Sequence, residues 1–179
     1  MMKQFLNSFS CVNDEDIEFF LHNRAIDFEK LSKSRTYLVC DEEDLKHNTL
    51  DKVIIYGYIS IALKTLTIPE ETSNRMRKEL DGFNAKIHGE PIRDIPCYLI
   101  GQLSRNSNIP KDILNGAKLL EYAYSVIVQS VDAGGGRYIM IECHDNQKLI
   151  HFYQQNLFKE IARIPDKNIP MVQMIRKIQ

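Results

Sequence analysis

The chain has 179 residues, 44% of them apolar and 26% charged, and a formal net charge of −1 from 23 Lys+Arg against 24 Asp+Glu. That length suits one globular domain, and near-neutrality excludes a uniformly basic, histone-like binder. With 8 Gly, 6 Pro and 9% aromatic residues, collagen-like and disordered classes are excluded as well.

The longest apolar run, Val53 to Leu63, falls short of the ~20 residues a membrane-spanning helix requires. The opening MMKQFLNSFS carries no continuous apolar stretch or small-residue cleavage pattern, so no export signal is expected. Cys11, Cys40, Cys97 and Cys143 lie far apart without a Cys-x-x-Cys pair. The expectation is buried thiols in a reducing cytoplasm, and no metal site.

In chain order, the spacing of Ile17, Phe20, Leu21, Ala25, Phe28 and Leu31 predicts one amphipathic helix over residues 13–31, with Asn13 or Asp14 as cap. A short strand at 37–40 and a polar loop over 41–52 follow. Val53–Leu63, β-branched and aromatic on both faces, reads as a strand buried on both sides. Residues 64–95 form a long excursion with a helix near 70–81; its six bases and six acids make it no electrostatic magnet. A buried strand is expected at 97–104. A second amphipathic helix is expected over 112–130, its inward stripe Ile113, Ala117, Leu120, Tyr124, Ile127 and Val131. The triple glycine at 134–136 precedes a strand, not a helix, and so reads as a flexible turn and not a phosphate cradle. A strand at 137–143, a helix from Asp145 through Tyr153 with Leu149 and Phe152 inward, and closing strands at 158–163 and 171–178 complete the chain. Strands alternating with helices argue for an α/β domain of the α+β type.

Two passages carry candidate chemistry. In YLIGQLSRNSNIPKDILNGAKLL (98–120) a buried strand feeds a helix, whose free N-terminal amides and dipole favour an anion; an ordinary strand–loop–helix connection reads the same way. In CHDNQKLIHFYQQNLF (143–158), Asn146 in the first helical turn and Tyr153 seven residues on share one side. A tyrosine at a cleft rim can protonate a leaving anion, while a half-buried structural tyrosine is the plain alternative. His144 and His151 lack a third ligand partner and read as surface or capping residues.

Together these passages resemble the cofactor-binding core of the GNAT superfamily, the acyl-CoA-dependent N-acyltransferases. That family has a loop Arg/Gln-x-x-Gly-x-Gly/Ala before a helix opening in Leu-Leu, then a helix carrying Asn-x-x-Ala-x-x-Phe/Leu-Tyr followed by Gly-Phe. Gly116-Ala117-Lys118-Leu119-Leu120 matches the first pattern. Asn146, Leu149, Phe152 and Tyr153 match the second, with Leu157-Phe158 standing where Gly-Phe is usual. The resemblance covers roughly residues 5–178. It implies a mixed, mostly antiparallel central sheet flanked by helices and splayed at the cofactor site, as a single domain over 1–179 with the 64–95 excursion. It also implies acetyl-CoA as acyl donor, held by Leu103, Ser104, Arg105, Lys111, Asn115, Gly116, Ala117 and Asn146. In that scheme Tyr153 is the acid, Glu142 a candidate base drawing a proton through water, and no metal takes part. Leu114 occupies the place of a loop glycine, which implies amides set further from the anion, and Asp112 adds a negative charge beside it.

A narrower likeness joins Phe9-Ser10-Cys11, Phe19-Phe20-Leu21, Ala25 and Gly57-Tyr58-Ile59-Ser60-Ile61 to the GNAT subgroup of toxins that acetylate the aminoacyl group of charged tRNA. The resemblance thus implies a cytoplasmic N-acetyltransferase acting on an amine-bearing small molecule or peptide, or on charged tRNA. Arg75, Arg77, Lys78, Lys86 and Arg105 are then candidates for a basic surface, an antitoxin is an expected partner, and a homodimer is a candidate assembly. A fold-sharing binding module with a degenerate loop is the non-enzymatic alternative.

Overall fold

The computed structural model describes residues 2–165 and 169–178. Among them, six strands form one sheet in the order β1-β2-β5-β6-β8-β7, where β1 is Arg35–Cys40, β2 Ile55–Thr67, β5 Asp94–Arg105, β6 Tyr138–His144, β7 Lys159–Ile164 and β8 Met171–Lys177. β3 (Lys86–Ile87) and β4 (Glu90–Pro91) form a separate two-stranded hairpin. The helices are α1 Met2–Leu6, α2 Glu15–Asn23, α3 Ala25–Lys30, α4 Glu42–His47, α5 Asn74–Asp81, α6 Gly116–Gly134 and α7 Gln147–Gln155. β1 with β2, β6 with β8, and β7 with β8 all pair antiparallel. This is the α+β, mostly antiparallel arrangement expected. Contacts divide the chain into two compact units, residues 1–62 with 100–133, and residues 63–99 with 134–179.

The first unit is built on Phe5, Leu6, Phe9, Cys11, Leu21, Ala25, Val53, Ile55 and Tyr58. Tyr58 is fully buried, meets Phe9 edge-on at 5.1 Å and donates its hydroxyl to the Ile17 carbonyl at 2.6 Å, as a buried tyrosine must. The helix expected over 13–31 is two helices, α2 and α3, broken at Arg24. There Asn23 Nδ2 donates to the Phe19 carbonyl at 3.1 Å, the side-chain competition that short amides bring to helices. Leu31 lies beyond the break's second helix and is 65% exposed, not inward. α6 starts at Gly116 and not at 112, which rotates its buried stripe to Leu119, Leu120, Ala123 and Ile127, leaving Ile113 and Ala117 exposed.

The segment 41–52, expected as a loop, contains α4. Asp41 Oδ1 accepts from the Glu43 and Asp44 amides at 2.9 and 3.2 Å. Glu42, Glu43 and Asp44 fill its first turn and Lys46 and His47 its last, so every charge complements the helix dipole.

The second unit is built on Leu66, Ile68, Leu80, Ile92, Ile95, Cys97, Tyr138, Met140 and Ile175. Its excursion is organised by Arg77, which is 4% exposed. The guanidinium donates to the carbonyls of Thr72, Pro69 and Glu70 at 3.0, 2.8 and 2.9 Å, and to that of Ile92. Arg77 therefore does not belong to a basic surface: the loop carbonyls around it need a fork of donors, and Arg supplies one. The glycine turn at 134–136 is pinned by Tyr98, whose hydroxyl donates to the Gly135 carbonyl at 2.7 Å. Gly136 has φ +128, and a Cβ there would stand 2.4 Å from the Tyr98 ring. Gly134 still belongs to α6, so the turn is confined to Gly135 and Gly136, and the Tyr98 contacts pin it where the sequence suggests a flexible one.

Candidate functional site

In the first unit, the end of β5 and the loop before α6 converge over Gly57. A Cβ on Gly57 would meet Leu114 Cδ2 at 2.8 Å, the Ser104 carbonyl oxygen at 3.0 Å and Arg105 Cα at 3.3 Å. Leu114 is only 3% exposed. Its side chain fills the space that Gly57 leaves empty and is turned into the core, away from the exposed stretch that opens α6. The leucine standing in a glycine's place is thus a packing residue.

Asn115 caps α6, its Oδ1 accepting from the Lys118 amide at 2.9 Å. The first backbone bond of the helix runs from Leu119 N to the Asn115 carbonyl, and the amides of Gly116 and Ala117 donate to no acceptor among the described residues. Two amides at the positive end of a 19-residue helix suit an anionic group such as a phosphate. Lys111 and Asp112 are both exposed in the preceding turn.

The loop is braced from below by a residue that sequence reading passed over. Asn106 is completely buried. Its Nδ2 donates to the Ile55 carbonyl at 2.9 Å and to the Ser8 carbonyl at 3.4 Å, its amide to Tyr56 O at 2.7 Å, and its Oδ1 accepts from Asn108 N at 3.0 Å. In RNSNIP it reads as one polar loop residue among several, and no periodicity marks it. Arg105 turns its guanidinium to the Ile109 and Asn106 carbonyls at 2.5 and 3.3 Å, holding the loop and not presenting itself as an exposed cation. Ser104 Oγ lies 3.3 Å from Cys11 Sγ. Leu103, Ser104 and Arg105 end β5.

In the second unit, Asn146 is the N-cap of α7, one position before its first turn. Its backbone is extended (φ −122°) and its Oδ1 accepts from the Lys148 amide at 2.9 Å. With the helix starting at Gln147, Ile150 turns inward at 3% exposure while Leu149 is 39% exposed, so Leu149 is not the inner-face residue expected. Tyr153 is clamped between Phe152 and Phe158, with ring centroids at 5.0 and 5.5 Å and both contacts edge-on. Burial, and secondarily Cys143, pushes its phenol well above the ordinary tyrosine value, which keeps it protonated. Among the described residues its hydroxyl has no hydrogen-bond partner.

The clamp is produced by the helix end. Phe158 N donates to the Tyr153 carbonyl at 3.0 Å and Leu157 N to the Gln154 carbonyl at 3.1 Å. That is the paired bonding of a Schellman cap, whose apolar contact here is Phe158 against Tyr153. Such a cap requires a left-handed residue at its turn, and Leu157 has φ +68. The Gly-Phe of the resembling family is thus explained: glycine takes that conformation freely, and leucine pays about 1 kcal/mol for it.

Glu142, on β6 opposite Gln173 of β8, is fully engaged. Both carboxylate oxygens accept from Lys64 Nζ at 2.8 Å, and Oε1 also accepts from Gln173 Nε2 at 2.7 Å. Its side chain is 24% exposed. His144 ends β6, and His151 is exposed on α7. Among the described residues no group of three or more His, Cys, Asp or Glu is placed to hold a metal ion, and no helix is long and apolar enough to cross a membrane.

No protein-family model matches the sequence, and no curated protein matches it. Solved structures do. AtaT complexed with acetyl-methionyl-tRNAfMet superposes with a TM-score of 0.66 at 19% identity, covering 93% of this chain and 85% of that one. A mutant of the toxin AtaT bound to the C-terminus of the antitoxin AtaR and acetyl-CoA gives 0.63 at 17%, covering 97% and 85%. A structure described as a bacterial toxin gives 0.69 at 14%, covering 97% and 83%. The chain has the fold of these proteins over nearly its whole length, the GNAT-like fold that the resemblance implied.

Proposed function

We propose that this chain is an acetyl-CoA-dependent N-acetyltransferase that acetylates the amino group of an aminoacyl ester on charged tRNA. The observation that carries the reading is the sharing of one fold, over 93% of the chain, with a toxin solved on acetyl-methionyl-tRNAfMet. The residues of both units are consistent with it. The free amides of Gly116 and Ala117, in the helix capped by Asn115, would hold the phosphates of acetyl-CoA, with Lys111 as a nearby point charge. The inward Leu114 leaves that helix mouth clear. The strand end Leu103-Ser104-Arg105 would pair through its backbone with the donor's pantetheine arm.

Acetyl-CoA, when bound, supplies an activated acetyl group. The Leu103 amide would donate to the oxygen that gains charge as the amine attacks, and Tyr153, protonated and held by two rings, would give its hydroxyl proton to the departing sulfur. Glu142 already accepts three hydrogen bonds, so a substrate amine that arrives neutral suits this chain better than one that must be deprotonated. The α-amine of an aminoacyl ester, acidified by its ester, is such an amine. A cytoplasmic location belongs to this reading, since charged tRNA and acetyl-CoA would have to be within the protein's reach.

The test is transfer of labelled acetyl from acetyl-CoA to aminoacylated tRNA. Tyr153→Phe should lower kcat by about 10²-fold or more at saturating donor, and Glu142→Gln should stay within about threefold. A loss in Glu142→Gln as large as that in Tyr153→Phe would restore Glu142 as the base. Absence of acetyl-CoA binding at about 500 µM by calorimetry would replace the enzyme with a binding module. A second reading, acetylation of a small amine or peptide, is favoured by the net charge of −1. On tRNA the KM should climb steeply with salt, and on a small amine it should not.

A further inference from the structure

Glu142 is a carboxylate placed for proton transfer and held back from it. On β6 it directly precedes Cys143, which lies close enough to Tyr153 to help raise that phenol. Successive strand residues point to opposite faces, so the carboxylate and the phenol stand near one level of β6, on its two sides. Acyl transfer calls for two proton handlers, one for the attacking amine and one for the departing sulfur, and in the proposed reaction Tyr153 serves the sulfur. Glu142, however, accepts from Lys64 Nζ at 2.8 Å on both oxygens, and from Gln173 Nε2 at 2.7 Å on Oε1. Lys64 belongs to β2, two places from β6 in the sheet order, so roughly 10 Å separates the two strands and long side chains are needed to meet across it. With Lys64 41% and Glu142 24% exposed, the pair contributes about 1 kcal/mol or less to stability. Its larger effect is on what the carboxylate is free to do.

We propose that Lys64 is a specificity-determining residue: by occupying the Glu142 carboxylate it restricts the enzyme to amines that arrive neutral and excludes alkyl amines that arrive as ammonium ions. The inference rests on the acetyl-transfer reading and narrows its acceptor. Near pH 7.5 about one alkyl amine in a thousand is neutral, so such an acceptor needs a base before its nitrogen can attack. The ammonium gives one proton to that base. The nitrogen then bonds to the acetyl carbon and sheds a second proton to water, the C–S bond breaks, and sulfur takes the Tyr153 proton, which solvent restores. An ionised carboxylate has about four lone-pair sites. On Glu142 three hydrogen bonds fill them, and the lysine cation repels an incoming ammonium. A neutral aminoacyl ester amine omits the first of these proton transfers and has no need of Glu142. Without Lys64 the carboxylate keeps Gln173 on Oε1, and Oε2 is open to a substrate proton. His144, two residues on and at the end of the strand, shares that face of β6 and is the competing base.

The experiment measures kcat/KM for acetyl transfer to charged tRNA, to an amino-acid methyl ester and to n-butylamine, at about pH 7.5. It compares wild type, Lys64→Met, Lys64→Arg and the double variant Lys64→Met with Glu142→Gln. On n-butylamine, Lys64→Met should gain about tenfold or more over wild type. Lys64→Arg preserves the cation and should show no gain, and the double variant should lose it. A lysine that serves the fold alone has no means of creating activity on a new acceptor. Thermal melts check that each variant is folded; if Lys64→Met is not, Lys64→Gln takes its place and should change in the same direction. A folded variant without gain, beside a wild type active on charged tRNA, overturns this proposal and leaves the acetyl-transfer reading standing. A gain that survives in the double variant also overturns it and moves the base to His144. So does a wild type that acetylates n-butylamine as fast as the ester. A wild type inactive on all three acceptors overturns the acetyl-transfer reading itself.

Discussion

At position 57 the missing side chain is what admits Leu114. Any Cβ there would sit 2.8 Å from the leucine's terminal carbon and 3.0 Å from a backbone oxygen, and only the leucine has freedom to yield. Gly57→Ala should therefore destabilise the protein by about 2 kcal/mol, lowering Tm by about 4–8 °C for a chain of this size, as calorimetry would register. Gly57→Ala paired with Leu114→Ala should cost less than the two single changes added together, because the two positions share one space. The sequence alone shows the departure at Leu114 from a glycine-bearing loop, but not its direction. A side chain's orientation depends on a partner 57 residues away along the chain (114 − 57), and local pattern contains no trace of it. Asn106 was illegible for the same reason, since all that distinguishes it from its polar neighbours is the set of carbonyls it reaches. Tyr153, in contrast, was legible as a candidate because it lies on a short helix whose cap, face and following apolar pair are all local.

Among the elements, those with strong periodicity were found and those held by polar chemistry were not. The strands β2, β5, β6 and β8 and the long helix α6 announce themselves through apolar runs or stripes. α4 has no buried residue, and only its capping aspartate and ordered charges mark it. α1, with five residues, and the hairpin of β3 and β4, with two residues each, are too short for a period to repeat. The excursion is a segment of balanced charge in sequence, yet one of its bases is buried at its centre. Arg77→Met keeps the side chain's length and removes its donors, stranding the carbonyls of Thr72, Glu70 and Ile92 and leaving that of Pro69 only the Thr72 amide. It should cost about 3 kcal/mol or more, and hydrogen exchange should show residues 68–93 opening before the rest of their unit. Uniform loss of protection over the whole chain would mean that the excursion has no separate stability.

For the whole molecule, the cysteines link stability to alkaline pH. Burial pushes the Cys97 thiol from an ordinary 9.0 up to about 11. Cys40 and Cys143 are also raised to about 11, by burial first and then by Asp44 in one case and by Asp145 and Glu160 in the other. Between those values the unfolded chain has lost thiol protons that the folded chain retains. The folded state's advantage is therefore complete below about pH 9 and declines as pH rises toward 11. Thermal melts should be level up to about pH 9 and fall from there toward pH 11, and Cys97→Ala should have a shallower slope than the wild type. An unchanged slope would remove Cys97 from the account.

The division of the chain into 1–62 with 100–133, and 63–99 with 134–179, has a consequence for biosynthesis. Neither unit is a continuous stretch of chain, so neither can be completed in the order in which residues leave the ribosome. The first 62 residues must wait for residue 133, an interval of 71 residues (133 − 62), or roughly 4–14 s at ordinary elongation rates. The helix that bears Tyr153 emerges later still. On the proposed acetylation of charged tRNA, a nascent chain is harmless to the translation machinery making it until the helix that bears Tyr153 has emerged and both units can close.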